Sequence, residues 1–262
     1  MADPSSVYTR EAYKQTKHLA TWFPGSRVAL GDIGHLHRSL WSRSDTLPSS
    51  LTVRARTGAT MPNLDWQVSS GVNVHTKVAG QFDPLLPGVP PAEAGIGYSF
   101  SRRGGTVFQA RECIVEEIED LAAVKQWMLT EARAARLTDH TLVVTRLIRT
   151  RACAILVADQ ANSSVEISVS GGGPIAAGQL ADVAAEARVT RSRGMTTQLL
   201  TANGATPLFG GLVVRSPTFS ALRIADLMLG DRASGTDDEP LDDLEPAPED
   251  DDFWRIGLPQ LT

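Results

Sequence analysis

The most distinctive pattern in the chain is a long β-rich stretch followed by a shorter one. Residues 141–158 carry mostly β-branched and apolar side chains over eighteen positions, and a second stretch, 165–170, follows a turn at 160–163. Because ordinary strands have about 5–6 residues, the first stretch predicts an unusually long strand. We expect the two stretches to face each other as one amphipathic hairpin. The positions that alternate along its predicted apolar face are Val143, Thr145, Leu147, Val165, Ile167 and Val169.

Shorter alternating stretches, broken by glycine and proline, fill the region 27–108 and recur near residue 200. They predict strands at 27–36, 51–56, 67–78, 96–100 and 106–110, and further short elements at 196–202, 208–215 and 220–227. The sequence Arg102-Arg103-Gly104-Gly105 predicts a hairpin turn between two of these strands. Four prolines within 83–91 predict a loop there.

Three stretches are typical of helices. Residues 8–23 predict an N-terminal helix that Ser5 or Ser6 caps and Pro24-Gly25 ends. Residues 114–137 predict a long central helix, because apolar residues recur with a helical period, acidic residues occupy its first turns and arginines its last. Residues 179–187 predict a short alanine-rich helix. Residues 1–230 are therefore expected to form an α+β body, a largely antiparallel twisted sheet with an N-terminal helix and one long central helix.

The C-terminal region departs from this pattern in composition. Residues 231–252 hold eleven acidic side chains and one arginine, a net charge of −10, whereas residues 1–230 carry +4. The acidic stretch contains three prolines and no apolar periodicity, so it predicts a flexible, disordered linker. Residues 253–262 then form a short apolar peptide whose bulk comes from Phe253, Trp254, Ile256 and Leu258. Such a peptide, tethered by a charged linker, is expected to bind either this chain's own body or a partner.

The charge of the body limits its partners. A charge of +4 is too weak to predict binding to nucleic acid. It is compatible with anionic lipid, which Arg10, Lys14 and Lys17 on the N-terminal helix could bind. The alternative for this helix is an ordinary surface helix packed on the domain. No run of about 18 apolar residues and no secretory signal occurs, so we expect a cytoplasmic protein.

Residues that could carry catalytic chemistry are few. His35 and His37 share one face of a predicted strand, but no cysteine or carboxylate at ligand spacing completes a metal site. Cys113 and Cys153 are expected to be buried thiols, because neither lies in a local catalytic motif, although one disulfide between them stays open. The glycines of 171–174 lack the ending of a phosphate-binding loop. The sequence therefore predicts no enzymatic activity, no metal and no cofactor.

Further features of the chain carry a resemblance to a known family. They are Leu142-Val143-Val144-Thr145-Arg146-Leu147-Ile148-Arg149-Thr150, the predicted hairpin through Val169, Thr206-Pro207-Leu208-Phe209, the order of the elements and the apolar C-terminal peptide. With these features, the region of about 100–215 resembles the pore-forming domain of the gasdermin family, and the C-terminal peptide is similar to that of short bacterial members. No cysteine precedes Cys113, so the N-terminal acylation of some bacterial members is not implied.

The resemblance implies a pore-forming protein that its own C-terminal peptide restrains until a protease cuts the linker. It implies three kinds of partner: anionic membrane lipids, an activating protease and further copies of the chain. The protein would be cytoplasmic when inactive and membrane-bound afterwards, and it would permeabilise membranes and kill cells, as in antiphage defence. Because a tilted membrane strand needs about 9–11 residues, the stretches 141–158 and 67–78 are long enough.

A second hypothesis needs no membrane. The chain could be a soluble, non-enzymatic binding or scaffold module whose C-terminal peptide recruits a partner. Arg146, Arg149 and Arg151 favour this alternative to some extent, because charged side chains are more common on ordinary globular strands than on the lipid face of a membrane strand.

Overall fold

The computed structural model describes residues 4–21, 28–37, 40–51, 53–67, 71–170, 175–202, 204–215 and 223–226. Within these residues the helices are α1 (Pro4–Thr16), α2 (Leu121–Arg133) and a 3₁₀ turn at Ala177–Gln179. The strands are β1 (Leu19–Ala20), β2 (Asp32–His37), β3 (Leu40–Thr46), β4 (Ala55–Met61), β5 (Leu64–Gln67), β6 (Val72–Lys77), β7 (Ala94–Phe100), β8 (Thr106–Ile118), β9 (Thr141–Ala158), β10 (Ser163–Val169), β11 (Ala187–Arg193), β12 (Met195–Thr201), β13 (Ala205–Arg215) and β14 (Arg223–Asp226). The predicted α+β class with antiparallel sheets is confirmed.

Strand β9 is the centre of the larger sheet. Along one edge it pairs with β8 and then with β2, and along the other edge it pairs with β12 and then with β13. The remaining strands join through these partners: β3 through β2, β4 and β5 through β8, and β1 and β14 through β13. The predicted long strand is confirmed at both ends. At about 3.3 Å per residue its eighteen residues span roughly 60 Å, which is why four partners fit along it.

The smaller sheet has the strand order β11-β10-β7-β6 and packs face to face on one end of β9. Its core joins Ile96 and Tyr98 of β7 and Ile167 of β10 to Ala154 and Leu156 of β9. Each of these side chains is essentially fully buried. Apolar burial of about 25 cal/mol per Å² therefore supplies most of the attraction between the two sheets.

Two predicted hairpins are wrong, because their strands lie in different sheets. The predicted turn 102–105 is present, with Gly104 at φ +75°, but β7 pairs with β6 and β10 whereas β8 pairs with β9. Likewise β10 follows β9 after a turn, yet it pairs with β7 and β11. Both turns are crossings from one sheet to the other.

The regular alternation of side chains between the two faces of β9 is interrupted at Thr145. The adjacent Gly210 and Gly211 of β13 pair with positions 146 and 144, which leaves Thr145 as the extra residue of a bulge on β9. Val143 consequently packs in the core cluster next to α2, whereas Leu147 packs in a separate cluster with residues of β1 and β13. The prediction that Val143, Thr145 and Leu147 share one apolar face is therefore wrong.

The N-terminal helix ends earlier than predicted. α1 stops at Thr16, Lys17 takes the left-handed φ of 57°, and the chain continues into β1 instead of a further helical turn. None of the described helices is long and apolar enough to cross a membrane.

The central helix begins later than the predicted residue 114, because 114–118 belong to β8. Asp120 caps α2, and its carboxylate accepts a hydrogen bond from the backbone N–H of Ala123 at 2.9 Å. Glu116 and Glu117, which were expected to favour the first helical turn, form ion pairs with arginines of β9 instead. These two glutamates therefore stabilise the sheet by cross-strand charge pairing and do not interact with the dipole of α2 as predicted.

Three further predictions have different outcomes. The loop expected at 83–91 is confirmed, because no strand lies between Lys77 and Ala94. The helix expected at 179–187 is wrong, since only one 3₁₀ turn and irregular turns precede β11. The predicted linker 231–252 and the C-terminal peptide with Phe253, Trp254, Ile256 and Leu258 lie outside the described residues.

The β9 bulge gives a first prediction. A Cβ on Gly211 would lie 2.2 Å from the carbonyl oxygen of Val143, a backbone atom that cannot move aside. We expect Gly211→Ala to lower the free energy of unfolding by about 1–3 kcal/mol or more, measured by urea denaturation. The matched control is Gly178→Ala, whose Cβ would meet only the Asp65 carboxylate at 3.4 Å. Equal stability of the two variants would contradict the bulge geometry.

Candidate functional site

The three basic residues predicted to bind lipid have different surroundings. Lys14 is exposed, and its ammonium lies 3.4 Å from the carboxylate of Glu11. Lys17 is also exposed, just beyond the end of α1, with its ammonium 5.9 Å from the centre of the Tyr13 ring. Arg10 is half-buried. The lipid-binding role of these residues stays a prediction.

The opposite side of α1 is packed against the larger sheet. Tyr8 and Ala12 are fully buried in a core cluster that also contains Cys153. Burial, and secondarily the nearby Cys153 thiol, raises the pKa of the Tyr8 hydroxyl. Because its apolar side is already packed, α1 presents mainly polar side chains such as Lys14 to solvent, and Lys17 is exposed just beyond its end.

All six residues predicted to lie on membrane strands are buried in the folded body. Those on β10 lie on one face, toward the core between the two sheets, whereas those on β9 are divided by the bulge at Thr145. The six are Val143, Thr145, Leu147, Val165, Ile167 and Val169.

The predicted histidine pair is exposed on one face of β2. His35 and His37 both reach solvent, but the neighbouring Asp32 is buried and otherwise engaged. Its carboxylate lies 3.2 Å from Nε of Arg43 and accepts the backbone N–H of Ala29 at 2.8 Å. Across the part of the chain that the structure describes, no three histidine, cysteine or carboxylate side chains converge as metal ligands would.

The two cysteines are free thiols buried in one core cluster, as predicted, and the alternative of a disulfide is not observed. Burial raises the pKa of Cys153 to about 12 and also raises the pKa of Cys113. Because the thiolate is the reactive form, burial and the raised pKa values both disfavour reaction of these side chains at neutral pH.

The outer face of the smaller sheet carries a feature that the sequence patterns did not single out. Residues 78–93, the 78–93 loop, fold back over this face. A Cβ on Gly97 would lie 2.4 Å from Cδ2 of Leu86, and a Cβ on Gly95 would lie 2.8 Å from Cγ1 of Val89. The two loop side chains, both buried, therefore occupy the space that these glycines of β7 leave empty.

Lys77, the last residue of β6, holds the C-terminal part of the 78–93 loop. It is 3% exposed, and its ammonium donates to the carbonyl oxygens of Pro90 at 2.6 Å, Glu93 at 2.8 Å and Val89 at 3.5 Å. A buried ammonium requires such acceptors, so the loop carbonyls and Lys77 stabilise each other.

Two carboxylates hold the turn that begins at Asp83 and the part of the loop around Gly88. Nε2 of His75 donates to Asp83 at 2.6 Å, and the backbone N–H of Gly88 donates to Glu166 of β10 at 2.7 Å. The hydrogen bond from His75 holds the pKa of Asp83 below its usual range. Because the pKa of Asp83 is lowered, the stabilisation that this hydrogen bond gives the folded state is present at neutral pH. It is lost only as the pH falls through the lowered pKa.

Residues 175–186, which precede β11, are fixed to the larger sheet by Arg111 of β8. The guanidinium lies 2.9 Å from Asp182 and 3.5 Å from Asp65, and it donates to the carbonyl oxygen of Gly178. Burial raises the pKa of Asp65, although Arg111 opposes that shift. The 78–93 loop and residues 175–186 are thus both attached by polar contacts.

A signal for this site was present in the sequence. Residues 94–100 alternate small residues with large apolar ones, so that Gly95, Gly97 and Ser99 occupy one face of β7. A strand that lacks side chains on one face indicates that another part of the chain packs there. The pattern did not identify the 78–93 loop as that part.

The lysines of α1 give a second prediction. We expect the double variant Lys14→Glu, Lys17→Glu to lose binding to anionic vesicles in co-sedimentation, while its melting temperature is nearly unchanged, because exposed charges contribute about 0–1 kcal/mol. The control is Lys125→Glu, Arg133→Glu on α2, which makes the same charge change at two positions of the other helix. Undiminished binding by the α1 variant would show that these lysines are ordinary surface residues.

The thiols give a third prediction. Ellman's reagent should react with neither cysteine of the native protein at mildly alkaline pH, and with both after denaturation, because both thiols are buried and protonated. Absorbance of the released thiolate measures the reaction. Stoichiometric reaction in the native state would contradict the burial described above.

Neither a protein-family model nor a curated protein matches this chain. Among solved structures, the chain is similar to a bacterial gasdermin from Bradyrhizobium tropiciagri, with 16% sequence identity and a TM-score of 0.32. The alignment covers 86% of this chain and 91% of that chain. Similarity at this level does not place the chain in that family, and the function proposed below depends on this chain's own residues.

Proposed function

We propose that this chain is a pore-forming protein, restrained by its C-terminal segment and released by proteolysis, and that the smaller sheet supplies the strands that enter the membrane. The observation that carries the proposal is the alternation of side chains in that sheet. Large apolar residues face inward and small or polar residues face outward on neighbouring strands. This two-residue period is the pattern that a membrane barrel needs, apolar toward lipid and polar toward the lumen.

The alternation is clearest on β7 and β10. On β10, Val165, Ile167 and Val169 belong to the core, and the intervening positions are Glu166 and Ser168. β6 follows the same rule, since Val72 and Val74 pack on the core and polar residues intervene.

Strand β9 lacks this property. Its residues 152–158 are all buried, with one set facing the smaller sheet and the other facing α1 and its neighbours. Both faces are apolar, so neither could line an aqueous lumen. The membrane segment that the sequence predicted at 141–158 is therefore reassigned to the smaller sheet, and Val165, Ile167 and Val169 stay candidates.

The strands of the smaller sheet are short in the folded body but have residues in reserve. β6 has six residues, and β7, β10 and β11 have seven each, below the about 9–11 that a tilted membrane strand needs. Residues 78–93 join β6 to β7, and residues 170–186 join β10 to β11. Each loop is long enough to lengthen both of its strands, once the contacts of Lys77, Asp83 and Arg111 are released.

The sheet also has suitable edges for assembly. β6 and β11 are its edge strands, and β11 carries exposed arginines, Arg188, Arg191 and Arg193, that discourage edge pairing in solution. In a ring, β11 of one copy would pair with β6 of the next, which closes the sheet and satisfies every backbone group in lipid.

The restraint is assigned to the C-terminal segment. Residues 253–262 would dock on the body through Phe253, Trp254, Ile256 and Leu258, and the acidic linker would weaken the attraction of the body to anionic lipid, since its −10 outweighs the +4 of the body. Cleavage within 234–252 removes both effects. The partners would be anionic lipids, a protease and further copies of the chain, and the protein would move from the cytoplasm to a membrane.

The fourth prediction tests release and mechanism together with a reversible cross-link. A Cβ on Gly88 would lie 3.2 Å from Cβ of Arg191, close to the about 3.5–4.5 Å found in disulfides, so Gly88→Cys, Arg191→Cys should tie the 78–93 loop to β11. We expect liposome leakage from the reduced double variant after cleavage within 234–252. Neither the uncut protein nor the cut, oxidised protein should cause leakage.

The single variant Gly88→Cys is the matched control, because it changes the loop without forming a cross-link. Leakage by the oxidised double variant equal to that of the reduced one would refute the assignment of β6 and β7 as membrane strands. If no cut form causes leakage from liposomes of several compositions, the pore-forming function itself is wrong, and a binding module with a recognition tail is the better account.

A further inference from the structure

We propose that the tip of the 78–93 loop, Phe82 with Leu85, is a preformed anchor that enters the interface of an anionic bilayer while the rest of the body is still folded. The inference rests on the proposed membrane function and adds to it the site of first apolar contact. It concerns a step before any strand lengthens, and it needs no change in the fold.

The two side chains are the most exposed large apolar residues in the part of the chain that the structure describes. Phe82 is 74% exposed and Leu85 is 67% exposed, whereas others such as Val53 and Val189 are 38% exposed. Large apolar side chains that stand out together on one loop indicate a surface that binds something.

A tight turn places both residues at one tip. The N–H of Leu86 donates to the carbonyl oxygen of Asp83 at 3.1 Å, and the Asp83 carboxylate accepts the N–H of Leu85 at 2.9 Å. Pro84 occupies the second position of this turn, where its fixed φ is favourable. Leu86 then points into the sheet and is 2% exposed, so Leu85, its neighbour, is left outside.

The tip is held in place before any ligand binds. The base of the loop is fixed by Lys77 and by the contacts of Leu86 and Val89 with the glycines of β7, and the turn is fixed by His75. A preorganised loop loses little conformational entropy on binding, so the apolar area of the tip is available for insertion.

The size of the patch favours lipid over a protein partner. Phe82, Leu85 and the partly exposed Val78 offer on the order of 300–400 Å², since even an aromatic side chain buries only about 150–250 Å². A stable protein interface buries about 800 Å² on each partner. Insertion of two or three side chains into a lipid interface has no such minimum, because each buried side chain contributes on its own.

The charge beside the loop favours an anionic surface. Arg188, Arg191 and Arg193 lie on β11, and all three are exposed. The loop reaches this strand, because a Cβ on Gly88 would touch that of Arg191. Glu93 and Glu166 offset part of this charge through ion pairs with Arg188 and Arg191, and Asp83 adds a carboxylate at the tip that is hydrogen-bonded to His75. The loop thus combines an apolar tip with adjacent arginines, whereas α1 has exposed lysines but packs its apolar side into the core.

The fifth prediction places an environment-sensitive dye on the tip. Phe82→Cys and Leu85→Cys are each labelled with a nitrobenzoxadiazole dye in the full-length protein, in which both native thiols are buried, and Val53→Cys is the control at another exposed apolar position. With vesicles of equal parts phosphatidylcholine and phosphatidylglycerol, dye at 82 and 85 should brighten and shift to the blue. Dye at 53 should not, and phosphatidylcholine alone should give a smaller response that added salt does not change.

The companion variant Phe82→Ser, Leu85→Ser should bind the anionic vesicles at least about tenfold more weakly than the wild type, because burying one such side chain is worth that factor or more. Val53→Ser should bind as the wild type does, and melting temperatures verify that both variants fold. A dye response that follows protein concentration without vesicles would identify a second copy of the chain as the occupant and overturn the proposal.

The remaining outcomes separate this proposal from the pore. Undiminished vesicle binding by the serine variant, with leakage after cleavage intact, would overturn the anchor and leave the pore standing. A dye response at 82 and 85 without leakage from any cut form would support the anchor and refute the pore.

Discussion

The structure depends on the backbone hydrogen bonding of β9, which has a partner strand along nearly all of both edges. β8 and β2 occupy one edge, and β12 and β13 occupy the other. Because of these ladders, β9 supplies side chains to all four core clusters of the described body, among them Leu156, Ile155, Val144 and Val143. A strand enclosed in this way cannot leave the sheet unless the whole core is lost, so β9 is the fixed part of the molecule.

The smaller sheet is attached to that fixed part in a different way. Its strands share no ladder with β9, and side chains such as Ile96, Tyr98 and Ile167 hold it by apolar burial against Ala154 and Leu156. Under the proposed function, the sheet would separate from β9 with its own hydrogen bonds intact, because apolar attraction has no direction and lipid would replace the lost contact. The polar contacts of its loops would then decide when it separates. This division between a bonded centre and a packed sheet is the physical basis of the proposed pore.

The sequence predicted the elements of this fold better than their partners. The bounds of β9 were predictable because eighteen β-rich residues leave no other choice, and β7 and β10 were predictable from alternation. The pairing of the strands was not predictable, because the alternation within a strand is the same whichever strand lies beside it. The turns at 102–105 and 160–163 also resemble hairpin turns, although each connects one sheet to the other. Glu116 and Glu117 misled the helix prediction, because acidic residues before a helix suit its first turn as well as they suit arginines across a sheet. At the candidate site, Gly95 and Gly97 signalled a covered face, but the contact with the 78–93 loop depends on tertiary packing.

The most direct test of the account is the surroundings of β10 after activation on liposomes. Cysteines placed one at a time at positions 164–169, each labelled with a nitrobenzoxadiazole dye, report by quenching from nitroxide-bearing lipids whether a side chain contacts lipid. The account predicts a two-residue period of quenching in the cleaved, membrane-bound protein, strong at Val165, Ile167 and Val169 and weak between them, and no such quenching in the uncut protein. It predicts no quenching by these lipids at Ile155 on β9, which stays in the protein core. Quenching without a period along β10, or quenching at position 155, would contradict the claim that the smaller sheet enters the membrane and the larger one stays outside.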